Sequence, residues 1–208
     1  MNQIFKILKV LYFIIFISFL SSCQDDILED HLIYYNDFTT LDTRNIQSNV
    51  GFGEFNDELV LGFFHNESFT LKFNDLPTHK KVRVTIDLYI HDSWDGNSQG
   101  VDGPDVWKML VDNELIVKTT FSNSLCEPAY CLYQSFPENG LRQFEPKTGA
   151  VITNLPGRCQ YSGLTGWTTK YRITHLVPHQ NRTLAITCLD EMVQSNACLL
   201  YTSPSPRD

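Results

Sequence analysis

The segment Lys81-Val-Arg-Val-Thr-Ile-Asp-Leu-Tyr-Ile-His91 decides the fold class. Apolar residues alternate with mostly polar ones along it, and successive side chains of an extended strand point to opposite faces of a sheet. The even-numbered residues, from Val82 to Ile90, therefore share one face, and the odd-numbered residues share the other. This pattern predicts a half-buried strand of an antiparallel sheet.

Similar patterns occur on both sides of this segment. They predict strands over residues 68–73, 106–111, 115–121, 168–174 and 183–189. Asp112-Asn113 is predicted to be a two-residue turn, because Asx residues tolerate positive φ. The long loop 122–162 is predicted to contain at most one short strand, near residues 150–153. No segment is typical of a long amphipathic helix, so we expect an all-β fold, an antiparallel two-sheet β-sandwich.

Composition limits the classes of function. The chain has 208 residues, of which 42% are hydrophobic, and this is enough for one domain with its own core. Its formal net charge is −8, with 16 basic residues against 24 acidic ones. Because phosphate binding requires clustered Lys and Arg, this balance argues against nucleic acid as a partner.

The first 22 residues are predicted to be a signal peptide with a helical apolar region. Lys6 and Lys9 precede the apolar run 10–20, and Leu20-Ser-Ser-Cys23 resembles the lipobox of bacterial lipoproteins. The resemblance implies that the Cys23 thiol is acylated and that a lipid anchor holds the protein in a membrane. An uncleaved anchor, or an ordinary signal peptide with a chance cysteine, is the alternative.

Residues 23–31 form an acidic tether that is similar to the signal directing Bacteroidetes-type lipoproteins to the cell surface. We therefore expect an exported protein that is anchored in the outer membrane and exposed on the cell surface. The alternative is a solvated acidic tether on the periplasmic side.

The sandwich domain is predicted to span residues 32–197. Residues 198–208, which end in Ser203-Pro-Ser-Pro-Arg-Asp208, resemble translated sequencing-adaptor read-through, so we expect a non-native tail and a domain truncated before its last strand. A natural Ser/Pro-rich linker is the alternative.

The loop from Asp92 to Asp105 carries the densest polar cluster in the chain. Its carboxylates repel one another unless solvent or a cation compensates, and Ca²⁺ accepts six to eight oxygen ligands. A calcium site here would use the side chains of Asp92, Asp95, Asn97, Asp102 and Asp105. The spacing is not that of an EF-hand. The alternative is a loop whose Asp, Asn and Gly residues only form turns.

Several motifs together carry a family resemblance. They are Leu61–Glu67, Leu76–His79, Ile86–Gly96, Gly103–Trp107, Val111-Asp112 and Thr119–Asn123. The combination resembles extracellular bacterial jelly-roll β-sandwich modules of the concanavalin/laminin-G type, over residues 37–196. It implies a jelly-roll fold and an exported location, but no settled activity. It also implies a closing strand with an acidic-Ser-Trp-Gly-like start soon after Asn196, and we expect this strand to be missing because of the truncation.

Trp94 and Trp107 are the predicted ligand-binding residues, and Trp167 is a third candidate. A flat indole can stack on the apolar face of a sugar ring, and neighbouring carboxylates can accept hydrogen bonds from sugar hydroxyls. The alternative is that these indoles belong to the core, which is common for Trp beside a strand.

Cys126, Cys131 and Cys159 are the disulfide candidates, since an exported protein encounters oxidising conditions. Cys126 can pair with Cys131, or one of them can pair with Cys159. Cys188 shares a strand face with apolar residues and is predicted to be a buried thiol. Cys198 falls at the start of the suspected tail.

No catalytic motif is found. A retaining glycosidase needs two close carboxylates, and the cluster Glu54–Glu58 lacks the required alternation. We therefore expect a non-catalytic binding or adhesion module, calcium-dependent and glycan-directed, whose partner is a glycan or a surface protein. The alternatives are a structural module of a longer surface protein and a glycan-processing enzyme.

Overall fold

A computed structural model describes residues 30–101, 103–128, 130–140, 142–194 and 198–202. The predicted signal peptide, the lipidation site Cys23 and most of the acidic tether lie outside these residues. Contacts divide the chain into residues 1–33 and a compact unit that begins at Tyr34. Among the described residues, no helix qualifies as a membrane span.

The described residues form eleven strands and no helix. The strands are β1 (Ile46–Ser48), β2 (Phe52–Phe55), β3 (Glu58–Phe64), β4 (Ser68–Phe73), β5 (Lys81–His91), β6 (Val106–Val111), β7 (Glu114–Thr120), β8 (Ile152–Pro156), β9 (Thr165–Pro178), β10 (Leu184–Glu191) and β11 (Cys198–Thr202).

Two antiparallel sheets pack into a sandwich. The five-stranded sheet has the order β1-β4-β10-β6-β7, and the six-stranded sheet has the order β2-β3-β11-β5-β9-β8. From β3 to β6, and again from β9 to β11, the chain passes from one sheet to the other between successive strands, as in a jelly roll. The predicted fold class, an all-β antiparallel two-sheet sandwich, is confirmed.

Strand β5 has the predicted bounds and pairs with β9 along its whole length. Leu88 and Ile90 on its inner face are fully buried in the main core. Asp87 and His91 on the outer face are also fully buried, so the half-buried pattern is wrong for the second half of the strand. A second apolar cluster, which contains Phe55, packs on this outer face at His91, and Asp87 is paired with Arg172 and Lys170 of β9.

The turn between β6 and β7 was also predicted from sequence. Asp112 and Asn113 have φ values of 49° and 69°. These values lie in the left-handed region that Asx residues tolerate, and they match the twist of a tight hairpin.

The end of the sandwich differs from the prediction. Strand β11 lies between β3 and β5 in the middle of the six-stranded sheet. Its residues are buried, so the sandwich extends to Thr202 and does not end at residue 197. The structure thus differs from the predicted domain end at residue 197, whereas the non-native origin of residues 198–208 stays a prediction, and residues 203–208 lie outside the described ranges.

Candidate functional site

Trp94 and Trp107 are not exposed platforms. Both side chains are fully buried in the main core. The Trp94 indole donates to the carbonyl of Cys198 at 3.2 Å, and the Trp107 indole donates to the Tyr201 hydroxyl at 2.9 Å. Neither ring offers a face to a sugar, so their assignment as ligand-binding residues is wrong.

Asp92, the first residue of the acidic loop, accepts hydrogen bonds from a distant loop. Its Oδ1 accepts from the backbone N–H of Arg158 at 3.2 Å and of Tyr161 at 3.3 Å, and its Oδ2 accepts from the N–H of Cys159. The Asp92 side chain is fully buried. Backbone donors thus supply the compensation for this carboxylate that the sequence analysis assigned to a cation.

The other predicted metal ligands have protein partners as well. The Asp105 carboxylate accepts from the N–H groups of Asp95 at 3.0 Å and Val193 at 3.1 Å. The pKa of Asp105 is raised by burial, although these two hydrogen bonds oppose the shift. The side chain of Gln194 donates to Asp95.

Asn97 points into a separate hydrogen-bond network. Its Oδ1 accepts from the Thr120 hydroxyl at 2.6 Å and from the Ser135 hydroxyl at 2.8 Å. Asp102 lies outside the described residues. The structure therefore does not gather the described members of the predicted calcium set around one point, and calcium binding by this loop stays a prediction.

One group among the described residues has the spacing of a metal site, and it consists of Asp92, Cys159 and Cys198. The two cysteines are joined in a disulfide, so their sulfurs are not available as thiolate ligands.

The disulfides match the predictions in part. Cys126 pairs with Cys131, which is one of the predicted alternatives. Cys159 pairs with Cys198, which the sequence analysis had placed in the tail. Cys188 is a free and fully buried thiol, as predicted, and burial raises its pKa.

The Asp92 hydrogen bonds and the Cys159–Cys198 disulfide fix residues 157–164, which we call the anchored loop. Gly157 begins this loop in a crowded position. A Cβ atom there would lie 2.6 Å from Asp92 Oδ1 and 2.9 Å from the Trp167 Cβ. Only glycine allows the backbone to approach both groups so closely.

Tyr161 of the anchored loop forms an aromatic pair with Trp167 at the start of β9. The rings of Tyr161 and Trp167 are stacked, with centroids 3.9 Å apart and an angle of 27° between their planes. Both side chains are partly exposed. On the same loop, the Arg158 guanidinium lies 5.0 Å from the centroid of the Phe63 ring, a cation–π contact. Among the described residues, Trp167 is the tryptophan that is partly exposed, and its ring contacts the anchored loop through Tyr161.

Sequence reasoning included Trp167 among three candidates but missed Tyr161 and the anchored loop. The nearest signal of a site was the composition of the segment from Gly157 to Trp167, which contains one basic residue and no Asp or Glu. Nothing in the sequence indicates that the backbone N–H groups of this loop bind a carboxylate 66 or more positions earlier.

No protein-family model matches this chain, and no curated protein matches it. Among solved structures, it is similar to one described as "Structure of a family 35 carbohydrate binding module from an environmental isolate". The sequence identity is 10% and the TM-score is 0.31, over 77% of this chain and 93% of that chain. A similarity this low carries no argument about ligand or mechanism.

Proposed function

We propose that this chain is a non-catalytic binding module whose ligand is a glycan, held at the Tyr161–Trp167 pair. The carrying observation is the stacked and partly exposed arrangement of Tyr161 on the anchored loop and Trp167 on β9. Stacked aromatic rings offer a flat apolar surface to the C–H face of a pyranose.

Rigidity supports this assignment. The anchored loop is fixed by three backbone hydrogen bonds to Asp92 and by the Cys159–Cys198 disulfide. A site that is ordered before binding loses less conformational entropy when the ligand arrives.

Two exposed polar side chains of the anchored loop would complete the site. Arg158 and Gln160 belong to the anchored loop and are exposed. Arginine only donates hydrogen bonds, whereas the glutamine amide both donates and accepts. The two side chains can therefore fix the orientation of a sugar through its hydroxyls.

A glycan array probed with the full chain tests the proposal. We expect binding by the wild-type protein and its loss in Trp167→Ala. The matched control is Leu176→Ala, because Leu176 is an exposed apolar residue of the same strand β9. Equal binding by wild type and Trp167→Ala, or no glycan bound by the wild type, would contradict the proposal.

The location is part of the same proposal. A lipid on Cys23 would anchor the module to the outer membrane, and the sandwich would face the medium. Incorporation of a labelled fatty acid into the wild type, and its absence in Cys23→Ala, is the expected result. Labelling of both proteins would place the lipid elsewhere.

Calcium binding by the acidic loop is a second, separate proposal that rests on its carboxylate density. Calorimetric titration of the full chain with Ca²⁺ should give heat that is lost in Asp95→Ala. Equal heat in both proteins, or none in the wild type, removes the metal from this loop.

A further inference from the structure

A chain of short contacts joins three segments near the start of β5. His79 Nδ1 lies 2.6 Å from the carbonyl oxygen of Pro77, and His79 Nε2 lies 2.6 Å from His179 Nδ1. His179 Nε2 lies 3.1 Å from Asp112 Oδ2. The two imidazole planes are within 15° of each other, with centroids 4.9 Å apart. With the nitrogens this close, the rings meet edge to edge, as in an in-plane hydrogen bond.

The two ends of this chain only accept hydrogen bonds. The Pro77 end is a carbonyl, and the Asp112 end is a carboxylate. Burial raises the pKa of Asp112, but the N–H of Ala185 and the His179 ring outweigh it, so that the net shift is downward. The Asp112 side chain is therefore ionised near neutral pH and brings no hydrogen of its own.

Counting hydrogens then gives a definite result. Three contacts between acceptors and ring nitrogens need three hydrogens, one for each contact. Two neutral imidazoles carry only two N–H groups between them. With neutral rings, one of the three contacts would bring two lone pairs together.

We propose that His79 and His179 together bind one additional proton, and that this proton latches the β9–β10 turn to the β6–β7 turn. The proton makes one ring an imidazolium, so all three contacts become hydrogen bonds. Asp112 and His179 also line an open cavity of about 350 Å³, so the latch holds two walls of that cavity together. A rise in pH removes the proton and releases the latch.

The charged groups around the pair act in both directions. Asp112 and Glu114, which line the same cavity, attract a proton. The cations nearby oppose it: Lys80, whose carbonyl accepts from the His179 backbone N–H at 3.1 Å, Lys81, which is opposite Pro178 in the sheet, and Arg182, which is paired with Asp75. The contact geometry favours binding of the proton, because the proton converts the remaining contact between lone pairs into a hydrogen bond.

The sign of the pH effect follows from linkage. An unperturbed histidine in the unfolded chain loses its proton near pH 6.5. The three hydrogen bonds of the latch require the extra proton, so the latch contributes stability at low pH and this contribution is lost as pH rises. Losing one hydrogen bond corresponds to about a tenfold change in the unfolding equilibrium constant.

The variant Asp112→Asn tests whether the contacts need the extra proton. Its amide N–H can donate to His179 Nε2, while its oxygen still accepts the Ala185 N–H, which Asp112 binds at 2.9 Å. All contacts are then satisfied with two neutral rings. We expect the unfolding transition of this variant, in the full chain, to vary less with pH between 6 and 8.5 than that of the wild type. At pH 8.5 the variant should be at least as stable as the wild type.

His79→Phe is the second variant of this experiment. Without the His79 ring, His179 can donate to Asp112 as a neutral imidazole, so the pH dependence of this pair should also disappear. A simple His179–Asp112 ion pair would instead leave the wild-type slope unchanged in His79→Phe, and that result would overturn the proposal. The contributions of other histidines are shared by all three proteins and cancel in the differences.

Nitrogen NMR of the wild-type rings gives a readout that does not depend on the variants folding. We expect three nitrogen-bound hydrogens on His79 and His179 together at pH 6. Two hydrogens across the range from pH 5 to 7 would contradict the latch.

Discussion

The two ends of strand β5 satisfy their carboxylates in different ways. Asp92 follows the last residue of β5 and binds backbone N–H groups, which carry their hydrogens at every pH near neutrality. Asp112 lies beside His179, near the start of β5, and depends on a titratable ring. Two residues of the same type can therefore give a fixed anchor at one end of a sandwich and a pH-dependent contact at the other.

The difference also separates two roles. The Asp92 end carries the disulfide and the aromatic pair, so its rigidity would serve the binding surface that we propose. The Asp112 end borders a cavity and brings the β6–β7 hairpin turn together with two connections that pass between the sheets, β4–β5 and β9–β10. We therefore expect mutations at the first end to act mainly on stability and binding, and mutations at the second end to act on the pH dependence of stability.

The largest effect is expected for Asp92→Ala. The substitution leaves the backbone N–H groups of the anchored loop without their acceptor in a buried position, and this should cost about 5 kcal/mol of unfolding free energy. Urea denaturation measures the loss. Asp42→Ala is the matched control, because Asp42 pairs with Arg44 at the surface. A similar loss in both variants would show that Asp92 does not anchor the loop.

The two disulfides should also contribute unequally to stability, with the larger contribution at the anchored loop. Removing the Cys159–Cys198 bond, whose cysteines are 39 positions apart, should cost about 4 kcal/mol in the chain-entropy model. Removing the Cys126–Cys131 bond, with a separation of 5, should cost about 2 kcal/mol. Paired serine substitutions and thermal unfolding compare them. An equal or reversed order would remove the special role of the first bond.

At His91, the last residue of β5, we expect a pH-dependent change in stability that is smaller, for each pH unit, than the losses expected for Asp92→Ala and for the Cys159–Cys198 bond. Burial lowers the pKa of His91 to about 3, so the folded state keeps this ring neutral while the unfolded state binds a proton below about pH 6.5. Stability should therefore fall as pH drops from about 6.5 toward 3, by up to about 1.4 kcal/mol per pH unit.

The sign of the His91 effect is opposite to that expected for the latch at the other end of β5. The variant His91→Gln should flatten the acid limb of the stability curve and leave the alkaline limb unchanged. His31→Gln is the control, because His31 is exposed and precedes the first strand. An unchanged acid limb in His91→Gln would contradict the assignment.

Strands were predictable where apolar residues alternate or dominate between turn signals. The bounds of β4, β5 and β6 and the Asp112-Asn113 turn followed from local pattern and backbone preference. The short strands β1 and β2 were not predicted, because three or four residues give too little periodicity to detect. Strand β11 was missed because its sequence was attributed to a tail.

The site was less predictable, because its contacts join distant segments. Trp94 stands among polar residues in the sequence and is nevertheless fully buried, since its indole reaches the carbonyl of Cys198, 104 positions away. Asp92 looked like a metal ligand because its backbone donors lie 66 or more positions later. Local sequence shows which groups need a partner, but only the fold shows which partner they have.

The most direct test uses the three tryptophans of the chain as reporters. In a nitrogen–proton NMR spectrum each indole N–H gives one signal, and a bound glycan shifts the signals of the rings it contacts. We predict that a glycan found on the array shifts the Trp167 signal and leaves those of the buried Trp94 and Trp107 in place. A shift of the Trp94 or Trp107 signal with Trp167 unchanged would contradict it.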